Sequence, residues 1–142
     1  MAQIDWTYLF TSFDGRIGRR LFWIGVLALL VVEIAAQTLA HQVEGNRLGA
    51  IVDLAFTYPE FALCVKRAQD RNMPIWLLGI FFAISVLMNF LVVIGWSGRA
   101  DELTTPELIM LVPWAVLAIA LLADLGFRRG TVGPNRYGPD PT

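Results

Sequence analysis

Four long apolar runs constrain the fold of this 142-residue sequence more than any other feature. Each run is close to the ~20 residues with which an α-helix crosses the hydrocarbon core of a bilayer; the runs cover residues 21–40, 48–65, 75–96 and 107–125. Hydrophobic residues make up 56% of the chain and charged residues only 16%, which is more apolar than soluble domains usually are. The sequence therefore predicts a single integral membrane domain over residues 1–142, an all-α bundle of four transmembrane helices.

The second run is the least regular of the four. Asp53, Pro59 and Glu60 interrupt it, and a proline inside a helix removes a backbone hydrogen bond and bends the axis. This span is therefore predicted to be either kinked or partly re-entrant. Short connections predict that neighbouring spans pack antiparallel; they cover residues 42–47, 66–74 and 97–106.

The basic residues are distributed unevenly between the two sides of the membrane that these spans would cross. Of the eleven lysines and arginines, Arg47 and Arg99 fall on one side, which leaves nine on the other. The nine are Arg16, Arg19, Arg20, Lys66, Arg67, Arg71, Arg128, Arg129 and Arg136. Cytosolic loops carry an excess of Lys and Arg, so this pattern predicts that both termini, the tail at residues 126–142 and the middle connection are cytosolic.

The stretch FDGRIGRRLFWIG, residues 13–25, places Arg16, Arg19 and Arg20 directly before the first span. A basic cluster before an apolar run also begins a cleavable secretion signal, but the charge of the later loops alternates correctly only if the first span is retained. A nucleic-acid-binding arm fits less well, because the net charge is -1 and arginines beside a bilayer suit anionic lipid head groups. We therefore predict a retained first span with a cytosolic basic collar, and no nucleic-acid partner.

Apolar residues upstream of this cluster recur at helical spacing. They are Trp6, Leu9, Phe10, Phe13 and Ile17. Such a stripe predicts a short N-terminal helix that lies in the inner membrane interface, and Gly15 is predicted to end it. The alternative is an irregular tail with scattered aromatic residues.

Three stretches of the chain resemble the signatures of a known family. They are FDGRIGRRLFWIG, KRAQDRNMPIW at residues 66–76 and GTVGPNRYGPDP at residues 130–141. In this order they resemble the YhaH-like family of small bacterial inner-membrane proteins, which is a domain of unknown function (DUF805). The resemblance implies four helices and a location in the bacterial inner membrane, and it supplies no activity. The middle stretch departs from the family pattern, because Gln69 stands where an Arg-Arg-Leu-His-Asp-like run has histidine.

Five of the polar residues within the predicted spans are candidates for function, because polar groups are costly inside a bilayer. They are Glu33, Gln37, Asp53, Glu60 and Asn89. At a rise of about 1.5 Å per residue, Glu33, Asp53 and Asn89 lie about 18–22 Å from the cytosolic side, so we expect them to converge. Converging carboxylates that share a proton would form a proton- or cation-handling site. A protonated carboxyl that bonds across helices would instead only stabilise packing, and pairing with a partner's charge is a third possibility.

Candidate interaction residues on the cytosolic face come from the three family-like stretches. They are Arg16, Arg19, Arg20, Arg67, Asp70, Asn135, Arg136, Tyr137 and Asp140. The tail is rich in glycine and proline and so cannot continue the fourth span as a regular helix. Either it is solvated, or it folds back onto the basic layer through attraction between the arginines and Asp14, Asp70 and Asp140.

Signatures of catalysis are missing from the sequence. The single histidine, His41, and the single cysteine, Cys64, fall toward opposite sides of the membrane and so are not expected to share a zinc ion. We predict no enzymatic activity, no cofactor and no metal site. The sequence favours an accessory or structural subunit of a larger membrane complex, with anionic lipid head groups as the other partner. The alternative is a small proton or ion channel or transporter that uses Glu33, Asp53 and Asn89.

Overall fold

The structure is a computed structural model that describes residues 4–43, 46–96 and 105–141. Its helices are α1 (Trp6–Thr11), α2 (Arg19–Val43), α3 (Asn46–Asp70), α4 (Trp76–Val93) and α5 (Thr105–Phe127). In the described ranges there is no β-strand beyond an isolated bridge between Asn135 and Gly138. Four of these helices are long and apolar enough to cross a membrane. For the described residues, the prediction of an all-helical fold with four helices able to span a membrane and a short N-terminal helix is confirmed.

Helix α1 is shorter than the predicted apolar stripe. The Asp5 side chain caps its N-terminus by accepting a hydrogen bond from the backbone N–H of Tyr8. The helix ends before Gly15, whose φ of +89° belongs to the turn between α1 and α2. Leu9 and Ile17 are 0% and 1% exposed because they pack into the protein core. For these two residues the predicted contact with the membrane interface is therefore wrong.

Helix α3 extends five residues beyond the predicted span at its C-terminal end. Residues 66–70 are helical, so the prediction of a connection over residues 66–74 is wrong for its first half. The charged side chains of Lys66, Arg67 and Asp70 bond to other groups inside the protein. These bonds offset the free-energy cost of removing the charges from water. The helix also continues through Pro59, so the second span is not re-entrant.

The core lies where α3 packs extensively against α2 and α4. Its buried residues include Phe22, Leu63, Leu78, Phe82 and Leu125. Helix α5 makes fewer contacts with α2 and α3, and it approaches α2 at Gly126. A Cβ atom at Gly126 would lie 2.5 Å from the Trp23 ring, whose Nε1 donates a hydrogen bond to the Gly126 carbonyl at 3.1 Å. The outer helix faces carry exposed aliphatic side chains, such as Val31 and Ile119, both 68% exposed.

Three segments meet at one end of the bundle and form a surface that we call the arginine layer. It comprises residues 4–20, 66–75 and 128–141. Direct contacts place them together, because Arg16 hydrogen-bonds both to Asp70 and to Thr131. Residues 44–45 and 97–104, which include Arg99, are outside the described ranges.

Candidate functional site

Asp70 lies at the centre of the arginine layer, at the C-terminal end of α3. Its Oδ1 accepts hydrogen bonds from Arg16 Nε at 3.1 Å and Nη2 at 2.9 Å, and its Oδ2 accepts one from Arg67 Nη1. The three side chains are almost fully buried, at 4% exposed for Asp70, 1% for Arg16 and 0% for Arg67. One carboxylate thus serves two guanidinium groups, and the remaining positive charge requires other acceptors.

Backbone carbonyl groups from the end of α5 and from the tail supply those acceptors. Arg16 donates to the carbonyl oxygens of Thr131 at 2.7 Å and Gly133 at 2.8 Å. Arg67 Nε donates to the Leu125 carbonyl at 2.7 Å. The last carbonyls of a helix have no partner within it and form the negative end of its dipole, so a buried arginine is favourable there. Arg67 therefore caps α5.

Lys66, the only lysine of the chain, has an equivalent role at the end of α1. It is 0% exposed, and its Nζ donates to the carbonyl oxygens of Tyr8 at 2.6 Å, Leu9 at 2.7 Å and Ser12 at 2.6 Å. All three ammonium protons are thereby used.

Burial, and secondarily the charge of Asp14, raise the pKa of the neighbouring Tyr8 hydroxyl, which donates to the Asp14 carbonyl at 2.8 Å.

Within the arginine layer, the tail docks on the 66–75 segment through hydrogen bonds with backbone groups. The backbone N–H of Thr131 donates to the Asp70 carbonyl at 2.9 Å. Asn135 Nδ2 donates to the Gln69 carbonyl at 2.9 Å, and Asn135 Oδ1 accepts from the backbone N–H of Tyr137 at 2.8 Å. These contacts distinguish the docked tail from the solvated alternative.

Of the three carboxylates predicted to attract the arginines, only Asp70 pairs with an arginine that also contacts the tail, which is Arg16. Asp140 Oδ2 accepts from the backbone N–H of Gly133 at 2.8 Å, which closes a loop within the tail. Among the described residues, the carboxylates that form ion pairs are those of Asp70 and Asp124, and neither Asp14 nor Asp140 is among them. Exposed charge pairs gain little in water, so backbone hydrogen bonds dominate instead.

The predicted interaction residues divide into three groups: Arg16, Arg67 and Asp70 are buried, Asn135, Tyr137 and Asp140 are partly buried, and Arg19, Arg20 and Arg136 are exposed. Arg16 and Arg67 are buried, so the prediction that they face lipid head groups or a partner is wrong. The exposed arginines of the layer are Arg19, Arg20, Arg128, Arg129 and Arg136. Arg136 lies 4.7 Å from the centre of the Tyr137 ring. The buried cationic groups of the layer are therefore hydrogen-bonded inside the protein, while its exposed arginines make the outer surface cationic.

Several layer residues with structural contacts, among them Lys66, Gln69 and Thr131, are absent from the predicted candidates. Lys66 and Thr131 are described above, and Gln69 Nε2 donates to the Phe13 carbonyl at 2.9 Å. Gln69 occupies the position where the family pattern has histidine, and in this chain its side-chain amide is the hydrogen-bond donor there. The only sequence signal for these residues is that they lie inside the family-like stretches.

A second ion-pair group flanks the layer at Asp124. This carboxylate pairs with Arg71 and with Arg128 Nη1, the latter at 3.0 Å. Burial, and then the charge of Arg128, lower the pKa of Arg71, whereas Asp70 raises it. The arrangement joins the start of the α3–α4 connection to the last turns of α5.

The intramembrane candidates surround a cavity of about 380 Å³ between α2, α3, α4 and α5, which we call the central cavity. Glu33, Asp53, Glu60 and Asn89 all line it. The rest of its wall is mostly apolar and includes the aromatic side chains of Phe22, Phe81, Phe82 and Trp114. Among the described residues, no group of three or more His, Cys, Asp or Glu residues could hold a metal ion.

Gln37 lies beside the central cavity instead of lining it. Its Nε2 donates to Asp53 Oδ1 and to the Gly49 carbonyl, the latter at 3.1 Å. A second cavity of about 270 Å³ is lined by Gln37, His41, Asp53 and Asn89, together with other residues near the end opposite the arginine layer. Asp53 and Asn89 thus line both cavities.

Comparison with known proteins identifies the family. The family described as "Protein of unknown function (DUF805)" matches residues 10–139 of the chain. The chain belongs to the DUF805 family. This confirms the family predicted from the three short stretches, and the DUF805 match includes parts of all three layer segments as well as the residues around the central cavity.

Two Escherichia coli proteins are similar to this DUF805 chain over most of its length. Both are called uncharacterized protein YiiR, one from strain K12 and one from O157:H7. Each is 31% identical over 141 residues, which covers 91% of this chain and 85% of the relative. No solved structure matches the chain. The comparisons therefore establish the DUF805 family and assign no activity to it.

Proposed function

We propose that this protein is a non-catalytic accessory or structural subunit of a larger complex in the bacterial inner membrane. The observation that carries the proposal is the buried Arg16–Asp70–Arg67 group, which fixes three distant segments into one preformed surface. A preformed surface binds without a large cost of ordering loops. Arg19, Arg20 and Arg129 remain exposed on it, which suits an acidic surface on the partner.

The proposal places the arginine layer and both termini in the cytosol. It is supported by the charge distribution, because nine of the eleven basic residues belong to the three layer segments or directly adjoin them. The exposed arginines nearest the bilayer also attract anionic lipid head groups. Lipid contact would hold the layer at the membrane surface, where a membrane-embedded partner presents its own cytosolic loops.

Purification in mild detergent, followed by quantitative mass spectrometry, tests the proposal. We expect a larger membrane protein to co-elute with this chain in a fixed ratio. Replacing Arg19 and Arg20 together by glutamate should remove that protein, whereas Arg47→Glu, at the opposite end of the bundle, should retain it. Elution of the unmodified chain alone, or a partner that is insensitive to the layer charges, would contradict the proposal.

A second candidate function is a small proton or ion channel or transporter. It is favoured by Asp53 and Asn89, which line both cavities and so extend polar groups from the central cavity toward the opposite end of the bundle. Reconstitution in liposomes with an imposed proton or potassium gradient tests it. Flux that Asp53→Asn abolishes without unfolding the protein would support transport, and no flux through the unmodified chain would exclude it.

A further inference from the structure

The central cavity is lined by three carboxyl groups, and the one imidazole that interacts with them, His41 beside Asp53, lies outside its lining. The carboxyl groups of Glu33, Asp53 and Glu60 lie close enough to interact electrostatically with one another. Its described lining includes no lysine, arginine or histidine. Like charges in a site of low dielectric constant repel strongly, so a bound positive charge would be stabilised there.

Two of these carboxyl groups also lack protein partners. Asp53 accepts a hydrogen bond from Gln37. In the described part of the chain, the side chains of Glu33 and Glu60 make no hydrogen bond or ion pair. Polar groups inside a bundle normally bond to a neighbouring helix. Glu33 and Glu60 are therefore free to bind an occupant of the cavity.

The wall of the cavity indicates what kind of cation would fit. The described carboxylates are not grouped closely enough to hold a metal ion, which argues against a small ion that needs several oxygen ligands. Phe22, Phe81, Phe82 and Trp114 provide aromatic faces, and aromatic faces attract organic cations. A volume of about 380 Å³ is typical of sites for small organic molecules.

Two residues that line the cavity are also exposed on the side of the bundle. Leu30 of α2 and Leu122 of α5 both line it, and they are 46% and 42% exposed on the outer surface. The two helices approach each other at Trp23 and Gly126, near the arginine layer. An opening between Leu30 and Leu122 would admit a molecule dissolved in the bilayer, which requires the molecule to be hydrophobic.

We propose that the central cavity is a binding site for a hydrophobic organic cation, such as an onium ion or an amphiphilic amine. Glu33 and Glu60 supply the complementary charge, and the aromatic wall contacts the apolar body. Binding requires no partner protein and no transport, so the inference is independent of the proposed accessory role.

Two ions of nearly the same shape and opposite charge test the proposal. Equilibrium dialysis would compare binding of tetraphenylphosphonium and tetraphenylborate to the purified protein in an uncharged detergent, with empty micelles as background. We expect the phosphonium ion to bind at least about tenfold more tightly than the borate ion, and Glu60→Gln and Glu33→Gln each to weaken it by about tenfold. Asp14→Asn removes an exposed carboxylate outside the cavity and should leave binding unchanged.

A cavity-filling substitution provides a second measurement if a glutamate variant does not fold. Ala118 lines the cavity, so Ala118→Trp should abolish phosphonium binding without changing any charge. Size-exclusion chromatography and circular dichroism would establish that each variant is folded. The proposal is overturned by absence of phosphonium binding, by equal binding of the two ions, or by binding that folded variants at Glu33, Glu60 and Ala118 all retain.

Discussion

The effect of substituting a charged residue in the arginine layer depends on whether its side chain is buried, and not only on its charge. Arg16 and Arg19 are three positions apart, yet the side chain of Arg16 is 1% exposed and bonded to Asp70, while Arg19 is exposed. Removing one member of a buried ion pair leaves the other charge without a partner and lowers the stability of the protein. Removing an exposed charge changes the stability little. The two kinds of arginine therefore predict different mutational outcomes.

Asp70→Asn should destabilise the protein strongly, because two buried guanidinium groups lose their shared carboxylate. We expect a loss of about 3–5 kcal/mol in the free energy of unfolding. Thermal or urea unfolding in detergent, followed by circular dichroism, would measure it. Asp14→Asn, at an exposed position, is the matched control and should change stability by less than about 0.5 kcal/mol. Equal effects of the two substitutions would contradict the buried assignment.

Lys66→Met should release α1 while leaving the four long helices in place. A helix of six residues is too short to persist alone, and Lys66 Nζ bonds three carbonyls at its end. We expect faster hydrogen–deuterium exchange in residues 4–18, with α4 unchanged. Arg47→Met, which removes an exposed cation, should leave the exchange of α1 as it is. Unaltered protection of α1 in Lys66→Met would disprove this role.

At the scale of elements, α5 is positioned by its close approach to α2. Gly126 faces the Trp23 ring, whereas Gly79 on α4 has no atom within 4 Å of an added Cβ. Two glycines inside helices thus occupy opposite environments. At Gly126 an added methyl group would collide with the Trp23 ring. At Gly79 it has space, and alanine has the higher helix propensity.

Gly126→Ala and Gly79→Ala form a matched pair that tests this difference. Gly126→Ala should lower stability by about 1–3 kcal/mol, because the α2–α5 contact must shift. Gly79→Ala should be neutral or stabilising by up to about 1 kcal/mol. Thermal unfolding would measure both, and tryptophan fluorescence would report the altered environment of Trp23. Similar unfolding temperatures for both variants would argue against the α2–α5 contact.

The tail is a second element whose removal should have a specific effect. A chain that ends at Arg129 loses the Thr131 and Gly133 carbonyls, which accept hydrogen bonds from Arg16. We expect normal membrane insertion and a lower unfolding temperature, because a buried guanidinium is left with unmet donors. Membrane fractionation and thermal unfolding would check the two expectations. A truncated chain as stable as the full one would show that docking contributes nothing.

At the scale of the whole molecule, four spans that each cross the membrane would place both termini on the same side of it. The charge distribution predicts that this side is the cytosol. Green fluorescent protein fused to the C-terminus should fluoresce, and alkaline phosphatase fused there should be inactive. Alkaline phosphatase fused after Arg47, in the first turn of α3 at the opposite end, should be active. The reverse pattern would overturn the orientation and the cytosolic role of the layer.

The sequence by itself determined the four apolar helices, since span length follows directly from the run of hydrophobic residues. It also determined the family, and it indicated that Glu33, Asp53 and Asn89 lie at similar depths, because helical rise is constant. These properties depend on residue type and local spacing. They required no knowledge of how the helices pack.

Only the tertiary structure decided which charges are buried and what they contact. Arg16 bonds to the Gly133 carbonyl across 117 residues of sequence, and no local pattern predicts such a partner. Lys66 and Arg67 read as loop residues by their charge, yet they extend α3 because α1 and α5 present free carbonyls to them. Burial of a charge depends on acceptors that distant segments supply, and packing alone brings those segments together.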